Sequence, residues 1–557
     1  MLATSRYDNQ GVLFHIIESD DFHLEQCDRV AWFSLLRDLD WRPLQPVAAK
    51  YYEALYQFNI EQALQRSRIL AANAETESEA TERLLFERAT LDEEVAVLHE
   101  PAALETECSP IDPLTVRPGA MPPRMAGRAP KCFFAMLKAF VGVAVSGVAP
   151  EPENAHAKLI DNPAFARTCG FTLPDPAIGY RQSDVPSLRK LEQFDQIMAD
   201  TGLWGEASLA QVRENISNER ITIEPTIVHD TTHYPAYSEM RSVEIPGQTS
   251  ATDEDSQVDS APTPASTEAK AKTKGKGKKK RKSRKKSHPK TIKNCRCADR
   301  DSCGHPWING DEGAGTVVKS TGEKYWAHKA STISFAGQEV LLDVVAMSDA
   351  ATHDSRSLTE QLDRLFERLP ELQGKITRVL DDGAADDLGL KKTLRETWNI
   401  ELFTPINPRS RKPLTTDLPK GVDHVTRTGV PTRIAGYPMD FIGCRHGDER
   451  FIFRAPDDES GQPVCVGCEQ REGCYRGQTG ARQVTIPFER LPWIDPKFPQ
   501  HSKRFAKTMA RRTVIERLHK LMKYDYGDER LSKRGNHSFQ ARLDKTLLAM
   551  HLVIARR

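Results

Sequence analysis

Three acidic residues, in the chain order Asp, Asp, Glu, have the residue types needed for chemistry on a phosphodiester. Asp230 follows the β-branched run ITIEPTIVH, Asp382 follows ITRVLD, and Glu516 lies within RRTVIERLHKLMK. Carboxylates gathered at one edge of a sheet repel one another unless a hard divalent cation neutralises them, and oxygen ligands suit Mg²⁺ or Mn²⁺. Two such ions activate an attacking hydroxyl and stabilise the leaving oxygen in an in-line displacement. The three acids therefore predict a metal site for nuclease or strand-transfer chemistry.

The segment RRTVIERLHKLMK also places two basic residues near the glutamate. Positions four and seven apart return to nearly the same face of a helix, so Arg512, Glu516 and Lys523 are predicted to share one side of a long helix. That row is either a solvated salt-bridge ladder or one wall of an active site. In the second case the basic residues would hold the phosphate that the metal polarises.

Strands and helices must bring these residues together. The run ending near Asp230 is rich in β-branched residues and is predicted to be a strand. After about residue 293 the sequence predicts two adjacent strands, a helix, a strand, a helix and a strand, in the segments KYWAHKASTISFAGQEVLLDVVAMSD, SLTEQLDRLFERLPEL, ITRVLDDG, LGLKKTLRETWN and IELFTPI. This alternation is typical of an α/β sheet covered by helices, and loops beyond buried strands collect functional side chains.

The rest of the chain is predicted to contain further domains, because 557 residues exceed one ordinary core. The first 215 residues have mostly helical periodicity. The longest apolar run, CFFAMLKAFVGVAVSGVA, contains Lys138 and falls short of the roughly 20 residues that cross a bilayer, so it is predicted to be a buried helix. No secretory signal pattern opens the sequence. We therefore expect a cytosolic protein with no membrane partner.

Three motifs resemble those of the DDE transposases of bacterial and archaeal insertion sequences. They are IVHDTTHYPAYS at the first aspartate, RVLDDGAADD at the second and RRTVIERLHKLMK at the glutamate. In that family the last motif is Tyr, two residues, Arg, three residues, Glu, six residues, Lys. Arg512, Glu516 and Lys523 fit this spacing, and Met509 stands at the tyrosine position. The resemblance implies an α/β, ribonuclease H-like mixed sheet flanked by helices, with an N-terminal helical domain and a cysteine-bearing insertion before the last catalytic helix.

The resemblance also implies roles for the residues. Asp230, Asp382 and Glu516 would be the catalytic acids that bind Mg²⁺ or Mn²⁺, and Arg512 and Lys523 would hold phosphates of the transposon end. The partners would be double-stranded DNA, at the terminal inverted repeats and the target, and further copies of the chain in a dimer or larger assembly. Such a protein would associate with the nucleoid.

Two details of the second motif bear on this assignment. Asp382 is preferred to the adjacent Asp381 because Gly383 follows it, where the resemblance places a glycine right after the catalytic acid. Ala385 departs from the family, which usually has an aromatic residue near this position.

The predicted domain boundaries follow from composition and from the resemblance. They are an N-terminal helical region of uncertain role at 1–129, a helical DNA-binding domain at 130–215, the first parts of the catalytic core at 216–245 and 293–438, an acidic then basic disordered linker at 246–292, the cysteine-rich insertion at 439–480 and the final helices of the core at 481–557.

Seven of the eleven cysteines fall in two clusters after residue 290, and without a secretory signal such clusters favour metal binding in a reducing compartment. The insertion supplies four soft ligands, enough for a tetrahedral structural zinc site: Cys444, Cys465, Cys468 and Cys474. His446 is an outside candidate for that site. Free, buried thiols are the alternative.

The other cluster has a less standard spacing. Its members, in NCRCADRDSCGHPW, are Cys295, Cys297, Cys303 and His305, which form a second candidate zinc site. It directly follows a tract, residues 270–290, with thirteen Lys or Arg among twenty-one residues. Such a tract binds polyanions by counterion release without reading sequence, although a charge run is more usually a solvated tail.

The sequence therefore favours a cut-and-paste DNA transposase that cleaves transposon ends and joins the freed 3′-hydroxyl to target DNA. The alternative is a non-catalytic, zinc-stabilised DNA-binding protein derived from a transposase. A metal nuclease without strand transfer is a third hypothesis. Specific recognition of the ends is expected from helix-turn-helix units in the N-terminal helices.

Overall fold

The computed structural model describes the chain in blocks separated by gaps. These blocks are residues 31–72, 131–171, 185–237, 291–293, 307–309, 311–318, 324–348, 350, 352, 354–474 and 481–556. Most of the predicted linker, including the basic tract, lies outside the described residues, as does the second cluster, Cys295, Cys297, Cys303 and His305.

The described elements follow one another along the chain as follows. The helices are α1 (Ala31–Asp38), α2 (Gln45–Ala72), α3 (Phe133–Val145), α4 (Pro152–Asp161), α5 (Pro163–Cys169), α6 (Leu188–Asp200), α7 (Leu203–Ser217), α8 (Asp354–Arg368), α9 (Leu388–Trp398), α10 (Arg471–Cys474), α11 (Lys503–Met509), α12 (Thr513–Lys520) and α13 (Asn536–Arg556). The strands are β1 (Thr226–Pro235), β2 (Thr291–Lys293), β3 (Trp307–Asn309), β4 (Gly315–Val318), β5 (Lys324–Phe335), β6 (Leu341–Ala346), β7 (Arg378–Leu380), β8 (Glu401–Phe403), β9 (Val422–Val425), β10 (Pro431–Arg433), β11 (Asp440–Arg445), β12 (Arg450–Arg454) and β13 (Gln483–Pro487).

A mixed six-stranded sheet forms the centre of the molecule. Five of its strands are in the order β4-β5-β1-β7-β8. The sixth, β6, pairs with a later part of β5 than β4 does. Strand β1 runs antiparallel to β5 and parallel to β7, and β7 runs parallel to β8. The parallel strands need crossover connections, and α8 and α9 provide them. The predicted alternation of strands and helices is confirmed, and this mixed α/β sheet is compatible with a ribonuclease H-like fold.

The two faces of the sheet pack against different helices, because successive side chains of a strand point to opposite faces. On one face Val228 of β1 and Leu380 of β7 join a hydrophobic cluster with the N-terminal helices, α12 and α13. On the other face Ile227 and Val379 pack with α8 and α9. Residues 228 and 380 therefore mark one face of the sheet, and residues 227 and 379 mark the other.

The N-terminal helices share a continuous core with the sheet. Every residue of α3 from Phe133 to Ala144 is buried, which confirms the predicted buried helix. Asp195 of α6 binds Lys545 of α13 at 2.9 Å, so a buried ion pair links the helices to the C-terminal helix. Within the described part of the chain, no helix is both long and apolar enough to span a membrane.

A β-rich insertion separates β8 from α11. Strands β9 and β10 form a two-stranded sheet, and β11, β12 and β13 form a three-stranded antiparallel sheet. Phe451, Phe453 and Ile486 belong to a separate small hydrophobic cluster in this region. The strands run from Val422 to Pro487, so the ordered insertion is wider than the predicted cysteine-rich segment at 439–480.

The structure corrects two details of the predicted elements. Asp230 does not end its strand, because β1 continues to Pro235 while pairing with β5. The long helix predicted around Glu516 is interrupted: Arg512 ends a 3₁₀ turn at Ala510–Arg512, Glu516 lies in the first turn of α12, and Lys523 lies in a π-helical segment at Leu521–Asp525. The three residues still follow one continuous helical path.

Candidate active site

Asp230 lies near the middle of β1, on the face of the sheet that carries Val228. Its Oδ1 accepts a hydrogen bond from the backbone N–H of Thr231 at 2.9 Å. Thr332 of the neighbouring strand β5 donates from Oγ1 to the Asp230 carbonyl at 2.9 Å. These contacts fix the backbone of Asp230 and leave Oδ2 directed toward the helices on this face.

Arg512 joins two of the three predicted acids. Its Nη1 lies 3.2 Å from Asp230 Oδ2, and its Nη2 lies 3.1 Å from Glu516 Oε1. One guanidinium thus binds a carboxylate from the sheet and a carboxylate from α12. The structure therefore brings Asp230 and Glu516 to opposite sides of a single positive charge.

The burial of Asp230 alters its chemistry. Burial raises the pKa of Asp230 to about 6, while the positive charge of Arg512 works to lower the pKa and the nearby negative charge of Asp381 works to raise it. A buried carboxylate with a raised pKa requires a cation to become charged, and Arg512 supplies part of that charge. A divalent cation would supply more.

Asp382 reaches the same region along the parallel strand. The last paired residues of β1 and β7 are Val228 and Leu380, and Asp230 and Asp382 each lie two residues further. Alternation continued from Leu380 would place Asp382 on the face of Asp230, although β7 itself ends at Leu380. Its Oδ1 accepts from the N–H of Ala384 at 2.7 Å, capping a 3₁₀ turn, and none of its described contacts involves Asp230 or Glu516.

Asp381, the rejected neighbour, has a different environment. Its Oδ2 lies 2.6 Å from His229 Nδ1, and its Oδ1 accepts from the Asp382 N–H at 2.7 Å. Burial raises the pKa of Asp381, and the charge of His229 works against this shift. Both oxygens of Asp381 are thus engaged within the protein.

Lys523, the second predicted phosphate ligand, lies beside the outer half of β1. Its Nζ donates to Thr232 Oγ1 at 2.5 Å and to the His233 carbonyl at 2.8 Å. The ammonium also lies 4.7 Å from the centre of the Tyr234 ring. Both Arg512 and Lys523 are therefore close to β1, and both form contacts within the protein.

His519 is a site residue that the sequence did not single out. It lies one turn after Glu516 on α12, and its Nε2 meets Thr332 Oγ1 at 2.8 Å. Burial, Lys523 and Arg512 together lower the pKa of His519 to about 3, so the ring is neutral at pH 7. Because Thr332 donates to the Asp230 carbonyl, the neutral ring is the donor to Thr332, and the two bonds connect α12 through β5 to β1.

The oxygen donors fit Mg²⁺ or Mn²⁺ in type. Arg512, a cationic group, already bridges Asp230 and Glu516, and Asp382 follows the strand next to that of Asp230. Within the described residues, however, no three His, Cys, Asp or Glu side chains already surround a common point that could hold a metal ion. Metal binding would therefore require Arg512 to move and the acids to draw together.

Two cysteines of the insertion contact another cation, the guanidinium of Arg433. Arg433 of β10 donates from Nη1 to Cys465 Sγ at 2.7 Å and from Nη2 to Cys474 Sγ at 2.8 Å. Burial works to lower the pKa of Arg433, but the neighbouring cysteines, including Cys468, raise it. Cys468 is therefore also near this guanidinium. Cys444 lies apart on β11, where none of its described contacts involves another cysteine.

These contacts fit thiolate chemistry. Arg433 is 1% exposed, and a buried guanidinium needs an anionic partner. Cysteines bind zinc in the thiolate form, so a zinc site here would supply that negative charge. His446, the outside candidate, packs its ring against Phe488 at a centroid distance of 5.9 Å.

Similarity to known proteins adds little to this geometry. The chain matches no protein-family model and no curated protein. Among solved structures, a pre-cleavage Mos1 transpososome is a neighbour at 10% sequence identity and a TM-score of 0.14. The match covers 45% of this chain and 58% of that chain, so it spans less than two thirds of the neighbour. A TM-score this low does not establish a shared fold.

The raised pKa of Asp230 predicts a pH-dependent metal affinity. The ordinary pKa of this carboxyl is 3.8, and its pKa in the folded chain is about 6. At pH values between the two, the native carboxyl keeps a proton that the unfolded chain has lost, and a metal ion must displace that proton. We expect Mn²⁺ affinity, measured by isothermal titration calorimetry, to fall ~10-fold for each pH unit below about 6. The variant Asp230→Asn should bind weakly and lose most of this dependence. Equal affinity at pH 7.5 and pH 5 would contradict the assignment.

The insertion is predicted to bind zinc through its thiols. Elemental analysis should find about one equivalent of zinc less in the variant Cys474→Ser than in the unaltered chain, because the proposed site loses one of its thiolate ligands. Cys132→Ser, at the start of α3 and far along the chain from the insertion, is the control and should leave the zinc content unchanged. Equal zinc in both variants would exclude this site.

Proposed function

We propose that the chain is a metal-dependent DNA transposase. The observation that carries the proposal is the bridge from Asp230 through Arg512 to Glu516, which joins the first and third acids of the DDE-like motifs across 286 positions of the chain. Asp382 follows the adjacent parallel strand, two residues beyond its last paired position. The motifs lie far apart along the sequence, and the contact of Arg512 with both Asp230 and Glu516 supports a common role.

Each acid has a role in the proposed reaction. Asp230 and Asp382, from adjacent strands, bind the cations from the sheet side, and Glu516 closes the site from α12. When bound, Mg²⁺ or Mn²⁺ lowers the pKa of an attacking hydroxyl and stabilises the leaving oxygen of the phosphodiester. The hydroxyl is water during cleavage and the transposon 3′-hydroxyl during strand transfer.

Arg512 and Lys523 are the proposed phosphate ligands. Arg512 changes partners when a divalent cation takes over the neutralisation of Asp230 and Glu516, and the released guanidinium then binds a DNA phosphate. Lys523 remains beside β1 at Thr232, two residues from Asp230 on the same face, where an ammonium can bind the next phosphate. His519 stays neutral and holds α12 against β5.

The proposed partner is double-stranded DNA, at the ends of the mobile element and at the target. The basic tract at 270–290 contributes affinity that does not depend on sequence. Because two ends and one target must be joined, the active form is proposed to be a dimer or larger assembly. The insertion, stabilised by zinc, would support the segment that leads into α11 and α12.

A specific observation favours a second candidate. Arg512 and Lys523 both bind groups of the protein itself, and the three acids are not yet gathered for metal. A chain fixed in this arrangement would bind DNA without cutting it. The alternative is therefore a zinc-stabilised DNA-binding protein derived from a transposase.

Loss of one acid should separate these functions. We expect Glu516→Gln to lower cleavage of DNA bearing the element's ends in Mg²⁺ or Mn²⁺ by about 10²- to 10³-fold, because the leaving and attacking oxygens lose electrostatic stabilisation. Binding of the same DNA in a mobility-shift assay should remain. The matched control is Glu396→Gln on α9, whose carboxylate forms only a surface pair with Lys392.

The outcomes distinguish the candidates. Cleavage by the unaltered chain that Glu516→Gln leaves unchanged would refute the assigned site. DNA binding by the unaltered chain with no cleavage in either metal would support the non-catalytic alternative. Cleaved but never joined products would indicate a metal nuclease.

A further inference from the structure

The strands that carry the two aspartates are paired over a short distance only. Strands β1 and β7 are in register at three positions, the last being Val228 with Leu380. Beyond Leu380 the chain leaves the strand and enters a 3₁₀ turn at Gly383–Ala385, whereas β1 continues to Pro235. The backbone ladder therefore ends two residues before Asp230 and Asp382.

A pair of side chains continues this register by one step. His229 and Asp381 each follow the last ladder pair by one residue, and their side chains meet at 2.6 Å between Nδ1 and Oδ2. The next step in the same register is Asp230 with Asp382. The histidine–aspartate contact thus lies directly between the end of the ladder and the two predicted metal ligands.

Further contacts hold this pair on the face of the sheet opposite the acids. His229 Nε2 lies 2.9 Å from Ser331 Oγ on β5 and 3.3 Å from Ser357 Oγ on α8. Ser331 donates to Gln361 Oε1 at 2.6 Å, and Gln361 donates back to the Ser331 carbonyl at 3.0 Å. One imidazole therefore connects β1 with β7, β5 and α8.

Burial excludes a direct chemical role for this network. The His229 side chain is fully buried and that of Asp381 is 2% exposed, so a DNA substrate has no access to either. Asp381, His229 and Ser331 resemble the order of a hydrolytic triad, but the serine is 1% exposed and donates its proton to Gln361. The contacts are suited to fixing positions rather than to transferring groups.

We propose that His229 and Asp381 are positioning residues that hold the ends of β1 and β7 in register, so that Asp230 and Asp382 stand side by side for metal binding. This inference rests on the proposed function for its purpose, although the register itself is a structural property. It also explains why two adjacent aspartates occur after β7: the first fixes the strand, and the second faces the site.

Disulfide trapping measures the register without metal or substrate. Positions in register on adjacent strands lie ~4.8 Å apart, so a chain that keeps the β1–β7 register as far as 230 and 382 would bring their Cα atoms within the range that a disulfide spans. We expect the double variant Asp230→Cys/Asp382→Cys of the full chain to cross-link on mild oxidation, with the 230–382 peptide pair identified by mass spectrometry. Adding His229→Gln should slow this cross-link by about tenfold or more.

Two controls separate positioning from general stability. His551→Gln removes another buried histidine, which binds Ser208 and Leu341 away from the site, and should leave the cross-linking rate unchanged. At position 381, Asn keeps an acceptor for the His229 N–H and should preserve cross-linking, whereas Asp381→Ala should not. This second pair keeps the test decisive if His229→Gln fails to fold.

The results have defined meanings. The proposal would be overturned if the cross-linking rates were equal with His229→Gln and His551→Gln, or equal with Asp381→Asn and Asp381→Ala. It would also be overturned if the parent double variant never formed the 230–382 pair. Failure of the proposed function has a different signature: the unaltered chain would neither bind Mn²⁺ nor cleave DNA, while cross-linking would still depend on His229. If both hold, His229→Gln should also weaken Mn²⁺ binding in the chain that retains both aspartates.

Discussion

Neutralisation of negative charge on one face of the central sheet is the constraint on which the candidate site depends. Asp230 lies half-buried on β1, Asp382 follows the adjacent strand, and Glu516 approaches from α12. Arg512 satisfies part of this demand by binding Asp230 and Glu516 together. A guanidinium carries one charge and a fixed planar geometry, whereas two divalent cations carry four charges and accept oxygen ligands from several directions. Under the proposed function, divalent cations would replace Arg512 as the partner of these acids.

In the insertion, too, an arginine contacts candidate metal ligands, here sulfur atoms in place of carboxylate oxygens. Arg433 lies among thiols in a buried setting, and its contacts with Cys465 and Cys474 match the charge that zinc-binding thiolates would carry. Around both centres an arginine meets candidate metal ligands, but the consequences differ. Arg512 is proposed to leave when metal binds and to contact DNA, while Arg433 contacts two of the cysteines that would hold zinc.

Much of the framework could be predicted from the sequence because it depends on local patterns. Alternating apolar residues predict β5 and β6, and helical periodicity predicts α8 and α9, since each element buries one face in a shared core. The position of Asp230 within its strand was missed because the residues after it, TTHYP, pair with β5 through long-range contacts. The break in the helix around Glu516 was also missed, because the sequence there is uninterrupted by glycine or proline.

The three acids of the candidate site stay a prediction, and the contacts around them could not be predicted from the sequence. The resemblance favoured Asp382 over Asp381 because Gly383 follows it, and the structure adds that Asp381 makes a buried contact with His229. A lone histidine before Asp230 carries no pattern that indicates its partner 152 positions away. Likewise, no spacing rule joins Arg433 to cysteines that come 32 and 41 residues later. Such pairs become visible only when the register of the strands is known.

The central claim is that Asp230, Asp382 and Glu516 gather around divalent cations that displace Arg512. A crystal structure of the chain grown with Mn²⁺, with anomalous scattering recorded at the manganese edge, tests this claim most directly. The account predicts an anomalous peak between the three carboxylates and an Arg512 side chain turned away from Asp230. Manganese bound elsewhere, with Arg512 still joining Asp230 to Glu516, would contradict it.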